Sequence, residues 1–106
     1  MEEYGIMMFI YYTTFQKPKE EKDRFLPDHF RYLARYYEQG TFLCSGPQVN
    51  GNGGVIVARC KDRQEAEAIM KEDPFYQEGI ATCELIEFNP VKYIKGFEPF
   101  LPKTAS

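Results

Sequence analysis

A chain of 106 residues has room for one domain and not for two, so residues 1–106 are read as a single unit. With 43% hydrophobic and 27% charged residues it can bury a core without staples, which argues against disorder. Its formal charge of −3 is spread over both signs with no basic patch, so neither nucleic acid nor an anionic membrane is an expected partner.

The opening residues Met1 to Gly5 lack the positive charge of a secretory signal, and the longest apolar run, Ile6 to Tyr12, is too short for a bilayer span. A cytoplasmic location is the expectation. Residues Ile6 to Phe15 are rich in β-branched and aromatic side chains and read as the first strand. Alternation puts Met7, Phe9 and Tyr11 on one face and Ile6, Met8, Ile10 and Tyr12 on the other. Both faces are apolar, so both need covering.

Gln16 to Arg24 reads as a charged loop. Pro27 and Asp28 then suit the first turn of a helix that runs to about Gln39 and stops at Gly40. The apolar stripe of that helix is read as Phe30, Leu33, Ala34 and Tyr37. A second strand covers Thr41 to Val49, interrupted at Gly46-Pro47. The Asn50-Gly51-Asn52-Gly53-Gly54 cluster joins strand to strand, which makes it a hairpin turn and not a phosphate loop. The third strand is Val55 to Cys60. Asp62 and Glu65 form a capping-box pattern opening a second helix to about Lys71, with Ala66, Ile69 and Met70 as its stripe. Asp73-Pro74 ends it, a short turn spans Phe75 to Glu78, and a last strand covers Ile80 to Phe88. The core therefore spans about 6–88, with an irregular tail at 89–106.

The order β-α-β-β-α-β predicts an α+β fold, a four-stranded antiparallel sheet with helices on one face. The apolar second face of the first strand predicts a homodimer, closed twofold pairing being the commonest assembly. Cys44, Cys60 and Cys83 all fall in strands and are expected to be buried free thiols.

His29 is the only histidine, which excludes multi-histidine metal sites, and no cysteine–carboxylate cluster has ligand spacing, so no metal is expected. His29 falls on the rim of the helix core. Asp73 is in phase with the second helix's stripe and also suits an N-cap for the turn at Pro74. The two helices share one face of the sheet, so contact between His29 and Asp73 is geometrically open. Ser45, beside the Gly46-Pro47 turn, is a weaker candidate to bind substrate. Tyr32, Tyr36 and Tyr37 read mainly as packing, with Tyr36 as a further substrate-contact candidate.

Pro27-x-His29, Gly40-Thr41-Phe42-Leu43, Ser45-Gly46-Pro47, Glu65-Ala66, and Asp73-Pro74-Phe75 followed by Gly79 form an ordered set. That set resembles the YciI-like (YCII-related) proteins of the dimeric α/β-barrel superfamily. The resemblance implies a ferredoxin-like fold similar to that of muconolactone isomerases. It also implies a histidine–aspartate catalytic pair, here His29 and Asp73, and a relative of the family is linked to aromatic dehydrochlorination. The reading is an enzyme that moves a proton on a small aromatic-derived or lactone-like molecule without a cofactor, as an isomerase, lyase or dehydrochlorinase. The alternative is a non-catalytic dimeric module that binds a small ligand.

Overall fold

In chain order the computed structural model, which describes residues 7–101, runs β1 (Met7–Phe15), α1 (Lys19–Glu38), β2 (Phe42–Pro47), β3 (Gly54–Cys60), α2 (Arg63–Met70), α3 (Pro74–Gln77) and β4 (Ala81–Phe88), then a 3₁₀ turn at Glu98–Phe100. The strands form one antiparallel sheet in the order β2-β3-β1-β4. This is the ferredoxin-like α+β arrangement expected from the sequence.

The register fixes which side chains meet the helices. Phe9 lies opposite Ala58 on one side and Glu87 on the other; Tyr11 lies opposite Ile56 and Leu85. Phe9, Tyr11, Phe42, Ile56, Ala58 and Cys60 form the inner face and pack against Tyr32, Tyr36, Ala66 and Ile69. Each large side chain fully buried here contributes about 1.5–3 kcal/mol. Two buried tyrosines tie the layers together. Tyr11 donates its hydroxyl to the Ala66 carbonyl at 2.8 Å, and Tyr32 donates to the Ile69 carbonyl at 2.9 Å. Burial pushes both phenols well above their ordinary pKa, so they remain donors.

Four expectations need correction. The segment Gln16 to Arg24 is not a loop, because α1 begins at Lys19 and encloses Pro27. Lysine and glutamate are good helix formers, Glu20 and Glu21 complement the first-turn dipole, and Lys19 pairs with Asp23 one turn on. Pro27 removes one intrahelical bond without ending the helix, which the packed face sustains. The buried face of α1 is also rotated from the expected stripe. Phe30 is 57% exposed, and Ala34 and Tyr37 are exposed too, whereas Tyr32 and Tyr36 are buried. The tyrosines can go inside because each hydroxyl finds an acceptor. Third, Cys44 is exposed, since it lies on the outer face of edge strand β2; Cys60 is buried and Cys83 partly so. Fourth, the tail is not wholly irregular: Arg59 donates to the carbonyls of Gly40, Pro99 and Leu101, binding the 3₁₀ turn to the interior strand β3. Ile6 and the tail end at 102–106 lie outside the described residues.

The glycine-rich hairpin turn folds back onto the end of β1. Phe15 N–H donates to Asn52 O at 2.8 Å, Gly54 N–H to Thr13 Oγ1 at 2.9 Å, and Gln48 Nε2 to Thr13 O at 2.7 Å. Gly53 is obligatory there, because a Cβ on it would fall 1.8 Å from the Thr13 carbonyl oxygen. This close approach builds one wall of the cavity described next.

Candidate active site

α1 carries His29 on the face that looks toward α3 and the inner sheet. α3 begins where Asp73, its N-cap residue, turns its side chain back to accept from Phe75 N–H at 3.0 Å. The same oxygen, Asp73 Oδ1, accepts from His29 Nδ1 at 2.8 Å. The cap and the imidazole contact therefore share one atom, and fixing the turn also fixes the carboxylate. The side chains of His29 and Asp73 are 16% and 8% exposed. Phe75, the residue after Pro74, stacks its ring on the imidazole at 4.1 Å with the planes 6° apart. Phe75 in turn meets Phe15 edge-on at 5.9 Å. The imidazole is thus held by a carboxylate at one nitrogen and an aromatic plane at its face. Nδ1 carries the proton toward Asp73, and Nε2 has no hydrogen-bond partner among the described residues.

His29 lines a cavity of about 430 Å³ bounded by α1, the ends of β1 and β3, and the β2–β3 turn. Its walls are mainly apolar and include Phe15, Leu26, Leu33, Ile56 and Phe75. That volume lies within the range of small-molecule sites. Ser45 also lines it, with Oγ 2.5 Å from the hydroxyl of Tyr37. Ser45 is therefore engaged with Tyr37 and makes no hydrogen bond to His29. Tyr36 does not line the cavity. Its hydroxyl donates to Glu72 Oε1 at 2.5 Å, and Arg35 pairs with the same carboxylate oxygen. The structure thus brings together His29, Asp73 and, across the cavity, Ser45, and leaves Tyr36 in the packed layer.

Sequence reasoning passed over Lys22, Leu26 and Phe75 as cavity residues. Reading Gln16 to Arg24 as a loop hid the spacing Lys22, Leu26, His29, Leu33, which aligns on one helical face. Among the described residues no group of three histidine, cysteine, aspartate or glutamate side chains is arranged to hold a metal ion. No helix among them is long and apolar enough to cross a membrane.

A family model described as the YCII-related domain matches residues 6–89. Among solved structures, the chain is similar to 5-chloro-2-hydroxyhydroquinone dehydrochlorinase (TftG) from Burkholderia phenoliruptrix AC1100, in complex with 2,5-dihydroxybenzoquinone. That match has 15% identity and a TM-score of 0.69, over 78% of this chain and 94% of the other. It is also similar to SnoaB, a cofactor-independent oxygenase from Streptomyces nogalater, with 15% identity and a TM-score of 0.50 over 86% and 98% of the two chains. At these identities the likeness establishes a shared fold. Comparison with curated protein sequences returns no match.

Proposed function

The chain belongs to the YCII-related family, and from that premise we infer that it is a small-molecule enzyme in which His29 moves a proton and Asp73 positions it. The observation that carries this reading is the buried Asp73–His29 contact at the wall of an apolar cavity. Asp73 holds the Nδ1–H tautomer, which leaves Nε2 as the base. As Nε2 takes a proton from the bound molecule, the imidazolium that forms is stabilised by the adjacent carboxylate. In an isomerisation the proton returns at another atom. In an elimination it stays on His29 while the leaving group departs with its bonding electron pair. Neither course calls on a redox cofactor or metal.

The apolar, ring-sized cavity suits a small aromatic-derived or lactone-like substrate, and the dehydrochlorinase and oxygenase of the same fold are consistent with such chemistry. The test is turnover against chlorinated hydroxyaromatics, lactones and enol acids. Activity is expected to fall by about 10²–10⁴-fold in His29→Ala, with ligand binding retained. Activity that survives the substitution removes His29 from the chemistry, and binding without turnover of any class favours a ligand-binding module.

The working assembly is proposed to be a homodimer formed through the outer sheet face. Tyr12, Ile86 and Phe88 are 40%, 44% and 39% exposed there, with Ile10 between them in register. Sedimentation velocity should give twice the 12.4 kDa chain mass, and Ile86→Asp should halve it. A wild-type monomer at high micromolar concentration refutes this assembly.

A further inference from the structure

Lys22 precedes His29 by seven residues on α1, so the two lie within about 20° of one face and about 10.5 Å apart along the axis. Leu26 sits between them, and all three line the same cavity. The cavity thus has an ammonium at one end, the free imidazole nitrogen at the other, and an apolar wall joining them. A six-membered ring with polar substituents at opposite ends, adding a hydrogen bond at each, is of the same order as that helical rise.

Lys22 is half-buried, with Nζ 5.0 Å from the centre of the Phe15 ring, and it makes no salt bridge among the described residues. Its neighbour Lys19 takes Asp23 at 2.6 Å. An ammonium resting over an aromatic ring, with no hydrogen-bond acceptor among the described residues, keeps its N–H donors available to an anion. A second cleft of about 420 Å³ shares Phe15, Lys22 and Gly51 with the cavity and adds Lys17 and Lys19. No aspartate or glutamate lines either space, although the whole chain has 16 acidic residues against 13 basic ones. Asp73 lies behind His29, where its Oδ1 accepts from His29 Nδ1. With Lys19 paired to Asp23, Lys17 and Lys22 are the lysines at the entrance that make no salt bridge among the described residues, and they offer positive charge to an incoming anion on a protein of net negative charge.

We propose that the cavity takes a ring compound bearing an anionic oxygen group, and that Lys22 binds this group while the far side of the ring meets His29. The proposal rests on reading the cavity as the substrate site, and it adds the substrate's charge and direction.

The experiment is calorimetric titration of the full chain with 4-hydroxybenzoate and with its neutral isostere 4-hydroxybenzamide. Wild type should favour the carboxylate by ten-fold or more, the weight of one charge-assisted hydrogen bond. Lys22→Met keeps an aliphatic side chain over Phe15 and should bring the two probes within about two-fold, while Lys22→Arg should preserve the preference. Added salt should weaken only the carboxylate. Equal affinities in wild type, an unchanged preference in Lys22→Met, or no binding of either probe at millimolar concentration overturns the proposal. His29→Ala separates the two readings. A Lys22-dependent preference with no His29-dependent turnover leaves the anion site standing and sinks the enzyme. His29-dependent turnover of neutral rings that Lys22→Met leaves unchanged does the reverse.

Discussion

Removing the Asp73 carboxylate tests the joint between fold and site, because one oxygen serves both. Asp73 Oδ1 accepts from Phe75 N–H at 3.0 Å and from His29 Nδ1 at 2.8 Å, in a residue only 5% exposed. In Asp73→Ala the helix cap is lost, at about 0.5–2 kcal/mol. The charge-assisted contact to His29 goes with it, at about 1.5–3 kcal/mol. Relief of the carboxylate's own desolvation offsets part of this, so the expected loss is about 2–4 kcal/mol, a large share of the roughly 5–15 kcal/mol typical of a domain. Asp73→Asn should cost about 1 kcal/mol. Both donors converge on a single oxygen, so the amide must keep its oxygen there and loses only the charge. Urea denaturation at constant pH gives the two numbers, provided the slope m is unchanged. Since His29 is the sole histidine, its Nδ1–H proton is a single downfield NMR resonance. It should be present in wild type, retained in Asp73→Asn and absent in Asp73→Ala. An alanine variant within 0.5 kcal/mol of wild type, or one that keeps the resonance, would refute the claim that one carboxylate fixes both the turn and the imidazole.

Two further perturbations follow from the geometry. Gly53→Ala places a methyl group 1.8 Å from the Thr13 carbonyl oxygen, so the turn must lift from β1 at a cost of about 2–4 kcal/mol; Gly46→Ala, with no neighbour within 4 Å, should stay within about 1 kcal/mol in the same urea assay. Burial pushes the Cys60 thiol up to about 12, with Glu65 adding to the rise, and raises Cys83 to about 11, with Asp73 adding. Both raised values lower the thiolate fraction at pH 8, so a disulfide reagent should label Cys60 and Cys83 far more slowly than the exposed Cys44 and catch up only on unfolding. Fast labelling of Cys60 in the folded protein would contradict its place in the core.

The strands and the second helix were legible because their signals are local. Alternation in β1, the Asp62–Glu65 cap and the Asp73-Pro74 break each declare themselves within a few residues. In the structure Asp62 accepts from Glu65 N–H at 2.8 Å, and Asp73 caps the next turn. The start of α1 was hidden because Pro27 resembles a first-turn residue and the charged run before it lacks apolar periodicity. Its stripe was misplaced because Tyr32, Tyr36 and Tyr37 look alike in sequence until the acceptors that let the first two go inside, the Ile69 carbonyl and Glu72, are known. Those acceptors lie more than thirty residues away, beyond any local pattern. The pairing of His29 with Asp73 needed the family resemblance in addition to the residues. Lys22 needed the true helix boundary.

The position of β1 in the sheet has a consequence for how the protein is made. This strand is central, yet it precedes every partner in the chain. It pairs with β3 up to Cys60 and with β4 up to Phe88. A ribosome adding roughly 5–20 residues per second needs about 4–15 s to cover the roughly 70 residues from the end of β1 to the end of β4. During that time MMFIYYTTF, a segment apolar on both faces and free of charge, proline and glycine, waits with its backbone unpaired. Such a segment is a template for cross-β association between nascent chains. The long-range closure that ends this exposure is also intrinsically slow. The early, charged start of α1 therefore does more than place Lys22: it sets a run of soluble, helix-forming residues directly behind the stretch of chain most in need of shelter.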